Sequence, residues 1–204
     1  AQETARSFFN SVSERYAGIE DYTANLKITR GLTEQIAAVT YKAPNLLRLD
    51  FEEPEDMVMV VGEELLEIWV DEHKVTFSQP LRKGAQEDIP NLATPQGLAL
   101  MDRYYTIAYA DSPDPVPLQS GSSEMVVKLR LYWKSNNEGY RELQLSVDSD
   151  KLLRRIVGIT TTNEIVQFDF TDIKLNQGIP EARFVYTSPP EGNTIENFLF
   201  DPEN

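Results

Sequence analysis

The chain has 204 residues, 41% of them apolar and 25% charged, with only 10 Gly and 12 Pro, a globular composition that excludes fibrous, low-complexity and disordered classes. Nineteen Lys and Arg against 33 Asp and Glu leave a formal charge of −14, which repels a phosphate backbone and sets nucleic acid aside as a partner. There is no Cys, so disulfides, thiolate metal sites and Cys nucleophiles are excluded, and the one His, His73, is the single candidate base for a catalytic triad.

No apolar run approaches the roughly 18 residues that a membrane span needs. The opening AQETARSFF lacks the basic and apolar parts of a signal peptide, and an Ala-Gln start fits cleavage at a small-residue site, so an exported, soluble chain is expected. Residues 3–19 then space Ala5, Phe8, Phe9, Val12, Tyr16 and Ile19 as one face of an amphipathic helix. From Tyr22 the period becomes two, with Tyr22, Ala24, Leu26 and Ile28 on one side of a strand and Thr23, Asn25, Lys27 and Thr29 on the other. Similar strands are predicted at 35–41, 45–51, 57–61, 65–70 and 74–79, and the short connections between them imply antiparallel neighbours.

Residues 80–105 read as a loop carrying a helix, with Leu98, Met101 and Tyr105 at helical spacing. A strand near 106–110 follows, and then 111–123, rich in Pro, Ser and Gly, which reads as a flexible surface loop. Alternation resumes with Val127, Leu129, Leu131 and Trp133, then Leu143, Leu145 and Val147, then 152–161 and 165–175. Turns at 136–139, 148–151 and 162–164 join these strands. Two further short strands are expected around Pro189 and Pro190. About eleven strands with few helices predict one domain over 1–204, mainly β, built on a single strongly curved antiparallel sheet. The N-terminal helix and the helix within 80–105 are the expected cover for its apolar face.

Polar constellations offer little chemistry. His73 falls in a turn, VDEHKV, and the acidic run Glu52, Glu53, Glu55 and Asp56 lacks calcium-loop spacing and reads as a solvated loop. Asp148 and Asp150 read as turn formers. There is no Gly-x-Gly pair and no Gly-Lys-Ser/Thr, so nucleotide-binding fingerprints are absent and no cofactor is expected. The remaining pattern is apolar: Leu47, Leu49 and Phe51 share one face, with Met57, Met59 and Val61, then Leu66, Ile68 and Val70, following in turn. Ordinary core explains any single one of these residues, and Met adds a deformable surface.

The stretch YKAPNLLRLDFEEPEDMVMVVGEELLEIWVDEHKVTF resembles the periplasmic carriers of outer-membrane lipoproteins, the LolA-type family. A Lys-x-Pro opens a strand, a Glu-x-Pro-type turn follows, an apolar strand ends in Gly62, and an aromatic strand holds Trp69. The segment EIVQFDFTDIKLNQGIPEARFVYTSPPEGNTI is similar to the family's closing strands, including a strand at Phe184 and the turn at 189–192. The resemblance implies an incomplete barrel covered by helices and a non-enzymatic carrier that takes acyl chains from an inner-membrane exporter to an outer-membrane acceptor, as a monomer.

Site residues implied by that reading are Leu26, Ile28, Leu47, Leu49, Phe51, Met57, Met59 and Ile68 on the sheet and Leu98, Leu100 and Met101 on a lid-like helix. One position departs from the family, which has an Arg directly before the strand-opening Pro to latch the lid. Here that position is Ala43, behind Lys42, and Lys42 projects to the opposite face of an extended strand. The other functions weighed are a lipid or glycolipid transporter or sensor of the same fold, a hydrolase using His73, and an interaction module with a filled core. The acidic surface is expected to keep such a carrier off anionic head groups.

Overall fold

The computed structural model describes residues 1–62, 65–80, 93–135, 140–187 and 189–196. The described chain is mainly β. It has helices α1 (Ala5–Ala17) and α2 (Pro95–Tyr104) and thirteen strands. The first six are β1 (Asp21–Arg30), β2 (Thr33–Lys42), β3 (Leu46–Glu53), β4 (Met57–Val61), β5 (Leu65–Val70) and β6 (Val75–Pro80). The others are β7 (Tyr105–Tyr109), β8 (Val116–Pro117), β9 (Met125–Trp133), β10 (Tyr140–Val147), β11 (Leu153–Thr160), β12 (Ile165–Leu175) and β13 (Asn193–Glu196). Strand order is β13-β6-β5-β4-β3-β2-β1-β12-β11-β10-β9-β7, with β8 paired to β9. Among the described residues the order ends at β13 and β7 without closing, as expected of an incomplete barrel.

The chain divides into two compact units, Ala1–Gly18 with Lys27–Glu34 and Asn91–Thr171, and Ile19–Leu26 with Gln35–Pro90 and Asp172–Asn204. In the first, Thr4 caps α1 by accepting the Ser7 N–H at 3.1 Å, and the N–H of Gly18 closes the helix on Glu14 and Arg15. The helical period buries Phe8, Phe9, Val12 and Tyr16 together. The Tyr16 hydroxyl accepts the Leu153 N–H at 2.9 Å, and burial pushes its phenol up. The Phe8 ring lies 6.2 Å from that of Tyr109, and α1 packs against α2 and β7.

Register builds the core of this unit. Leu129 faces Leu145, which faces Ile156 on its other side, and Leu131 faces Leu143. All are at most 2% exposed, so each contributes about 1.5–3 kcal/mol by burial. Gly158 faces Leu143 because nothing larger fits: a Cβ there would meet the Tyr140 ring at 2.5 Å. Asp148 forms the expected turn, its carboxylate accepting the N–H groups of Asp150 and Leu152 at 2.8 and 2.9 Å.

Three expectations need amendment or fall elsewhere. The strand expected at Phe184 is instead a 3-10 turn, Glu181–Phe184, where Pro180 accepts the Arg183 N–H at 3.1 Å. The predicted loop at 111–123 contains the short strand β8, paired to β9, and a buried Leu118. Residues 81–92 of the lid-like loop and the turn at 136–139 lie outside the described residues.

Candidate functional site

Facing residues in an antiparallel pair project to the same side of a sheet, so the register of β2 to β6 sorts the second unit into two faces. On one face Tyr41, Val39 and Ala37 meet Leu47, Leu49 and Phe51. Leu47 and Leu49 in turn meet Val61 and Met59. The row continues through Met57 to Val70, Met59 to Ile68 and Val61 to Leu66, and then from Ile68 and Val70 to Phe77 and Val75 on β6. The Tyr22 ring, 5.2 Å from that of Tyr41, brings β1 residues Tyr22, Ala24 and Leu26 onto the same face. Burial pushes the Tyr41 phenol up to about 12, and its hydroxyl donates to the Pro44 carbonyl at 3.2 Å.

The other face carries Leu46, Arg48 and Asp50, then Val58 and Val60, then Glu67 and Trp69. Residues 176–187 and 189–192 lie over it. Ile179 and Phe184 pack with Leu46 and Val60, and Val58 and Tyr186 adjoin them. A set of polar clasps holds this arm. The Asp21 carboxylate accepts the N–H groups of Gln177 and Ile179 at 2.6 and 3.0 Å, and the Lys42 ammonium donates to the Ile179 carbonyl at 2.7 Å. Arg48 donates to the Arg183 carbonyl at 3.1 Å while Arg183 bonds Asp50 at 3.0 Å. Further along, Gly192 lies against the Trp69 ring so closely that a Cβ would come within 2.5 Å of it.

The two faces differ in cover. On the arm side Val60, Trp69 and Thr76 are 2%, 3% and 1% exposed and Val58 and Glu67 half-buried; on the apolar side Met57, Met59, Ile68, Val70, Val75 and Phe77 are half-buried, while Val61 and Leu66, at the far end of β4 and β5, are 0% and 4% exposed. The apolar side grades from buried Leu26, Leu47, Leu49 and Phe51 to this half-open area on β4 to β6. Seven of the expected site residues, Leu26, Leu47, Leu49, Phe51, Met57, Met59 and Ile68, therefore share one face. Ile28, next but one in β1, falls in the first unit. Leu98, Leu100 and Met101 are on α2, also in the first unit, where Leu98 and Met101 are 0% and 2% exposed and Leu100 is half-buried. Sequence reasoning missed Val75 and Phe77, although their alternation in β6 was visible, and it missed the arm entirely.

Lys42 lies on the arm side, as its place in the strand requires, and its hydrogen bond is to Ile179. His73 is exposed in a 3-10 turn, Asp71–His73, and Glu52, Glu53, Glu55 and Asp56 are exposed at the β3–β4 connection. Among the described residues no group of three or more His, Asp or Glu side chains could hold a metal, and no helix is long and apolar enough to cross a membrane.

Glu67 is the titratable oddity of the arm side, because burial raises its carboxyl above the ordinary range. The folded state then keeps this proton to higher pH than the unfolded chain, so the group's contribution is fullest below the ordinary value near 4.3 and is lost as pH rises through the raised one. Glu67→Gln is expected to raise stability at about pH 7, with the gain shrinking towards about pH 4, as followed by urea unfolding. Equal stability of the two chains at neutral pH would mean that Glu67 is fully solvated.

No family model and no curated protein matches the chain. Solved structures do. An uncharacterized conserved protein from Thermus thermophilus aligns at a TM-score of 0.61 and 14% identity, over 94% of this chain and 98% of that one. The Pseudomonas aeruginosa MucA/MucB complex gives 0.56 and 12%, over 90% of this chain and 61% of that one. The Mycobacterium tuberculosis lipoprotein LppX gives 0.52 and 9%, over 85% and 96%. A LolA superfamily protein from Nitrosomonas europaea aligns as well, at 0.44 and 13%, over 91% and 99%. At these identities what is shared with the first three is the fold alone.

Proposed function

We propose that the chain is a carrier of acyl chains, which lie against the apolar face of β1 to β6 in the second unit. One observation carries the reading: the half-open apolar area at Met57, Met59, Ile68, Val70, Val75 and Phe77, six apolar residues contiguous on β4 to β6, while the arm packs on the opposite face at Leu46 and Val60. A soluble chain leaves such an area unfilled at a cost, unless something apolar occupies it. The fold likeness is compatible with this role. The finer reading is that the cargo is the lipid anchor of lipoproteins, carried through the periplasm from an inner-membrane exporter to an outer-membrane acceptor. Leu98, Leu100 and Met101 enter the proposal as chain contacts through the family resemblance.

The magnitudes suit a carrier. A triacylated anchor of about 45 methylenes at about 0.8 kcal/mol each presents on the order of 35 kcal/mol of apolar surface to water, so it does not cross an aqueous space bare. A site that must also release its load has to recover only part of that, and an open, Met-containing surface does so.

Native mass spectrometry with a triacylated lipopeptide, and the deacylated peptide as control, tests the reading. A mass shift of one lipopeptide, absent with the control, is the expected result. Absence of any adduct where a known carrier binds would overturn it. A second reading, that the face docks another protein, has the likeness to the MucB-containing complex in its favour and would then take precedence.

A further inference from the structure

Within the second unit, strands β3 to β6 of the apolar face share one end at which negative charge collects. The end of β3 supplies Glu52 and Glu53, its connection to β4 supplies Glu55 and Asp56, and the β5–β6 connection supplies Asp71 and Glu72. Because β13 runs parallel to β6 with Asn193 facing Val75, Glu191 arrives at this same end. All but Asp71 are exposed. Five adjacent strands at about 4.8 Å spacing spread these carboxylates over about 19 Å, so neighbours reinforce one another at physiological salt and the whole set does so only at low salt, where the Debye length reaches about 30 Å.

One cation of the chain already responds to that field. Lys74, the single ammonium in these connections, donates to Asp71 at 2.7 Å. This bond is the main cause that holds its pKa above the ordinary value, and Asp71, Glu191 and Asp56 add their attraction. Met57, Val70 and Val75, half-buried, begin the apolar rows where this acidic end stops. An amphiphile with its chain along the rows and its head at their end would thus have its head among carboxylates.

Resting on the acyl-chain reading, we infer that the occupant of this face is an acylated molecule with a cationic head, an amine-bearing amphiphile, and that anionic amphiphiles of the same chain length are rejected. The apolar rows supply affinity and the acidic end supplies the choice. For an acylated protein the cation is a run of Lys or Arg directly after the lipid-bearing residue. The preference is electrostatic, so salt removes it while leaving chain binding in place.

Three dipalmitoyl lipopeptides that differ only in a tetralysine, tetraserine or tetraglutamate tail test this with the full chain. At about 0.02 M salt the tetralysine form is expected to bind about tenfold or more tighter than the tetraglutamate form, and at about 1 M salt within about twofold of it. Reversing exposed Glu53, Glu55 and Glu72 to Lys should invert the order. Reversing as many charges in the first unit, at exposed Glu14, Asp111 and Asp114, should keep it. Lys74→Asn, which suits the positive φ of 50° there, should widen the preference. Equal affinities for all three tails at low salt, or an inversion by the first-unit reversals as well, would overturn the inference and leave the carrier reading standing. Failure of all three to bind would remove the carrier reading itself.

Discussion

A Met59→Glu chain is expected to lose about a hundredfold in affinity for an acylated peptide while keeping its fold. Met59 sits between Leu49 and Ile68 on the apolar face and is itself half-buried. In the free protein a carboxylate at this half-open position still reaches water, so far-UV circular dichroism and the melting temperature should change little. Against an acyl chain it is left without a partner, and about 3 kcal/mol of lost binding corresponds to that hundredfold. Leu49→Glu would attack the same face, but Leu49 is only 8% exposed, and part of its effect would be loss of stability. Titration of a fluorescent lipopeptide measures the affinity, with Met59→Leu as the volume-conserving control. Unchanged binding by a folded Met59→Glu chain would place the acyl chains elsewhere.

The largest stability effect is expected from Asp21→Ala, at about 3 kcal/mol. Asp21 is 1% exposed, and its carboxylate accepts the N–H groups of Gln177 and Ile179. Removing it leaves two backbone donors without their acceptor under the arm, and each hydrogen bond to a charged group contributes about 1.5–3 kcal/mol. The arm should loosen before the sheet does. Trypsin is therefore expected to cut after Arg183 faster in Asp21→Ala than in the parent chain, under conditions where urea unfolding still shows a single cooperative transition. Asp21→Asn keeps an acceptor oxygen and should fall between the two. Stability of Asp21→Ala within about 0.5 kcal/mol of the parent would mean that the clasp is ornamental.

Alternation made most strands legible. The bounds expected for β4, β5 and β12 coincide with those found, and α1 lies within the predicted 3–19. Alternation also put Leu47, Leu49 and Phe51 on one side from sequence alone. It was silent about which side is covered, because Met57, Val58, Met59, Val60 and Val61 form an unbroken apolar run. Only register separates Met59 from Val60, and Val60 is buried by packing with Ile179 and Phe184 of the arm, contacts that no side-chain pattern announces. The arm itself was misread for a physical reason. Its sequence ARFVYT alternates as a strand does, but Phe184 and Tyr186 pack on a sheet face from above, Val185 is exposed, and the backbone bonds within its own turn. Side-chain pattern does not distinguish a strand in a sheet from a chain lying across one. The two-residue β8 was missed because its Pro marks a place where strands are usually short or at an edge.

The parallel pairing of β13 with β6 has a consequence for the protein's behaviour at high concentration. Without it, β6 would present Val75, Thr76, Phe77 and Ser78, four uncharged residues and three of them strong strand formers, with a free row of N–H and C=O groups. Such a row is a template for a second copy, and the uncharged stretch lacks the repulsion that would keep copies apart. Asn193 to Glu196 occupy the row with a short exposed strand that ends in a carboxylate. Among the described residues the border of the sheet is thus a four-residue strand ending in a carboxylate, shorter and more charged than the β6 row it covers, and shortness and charge are what disfavour edge-to-edge pairing of copies.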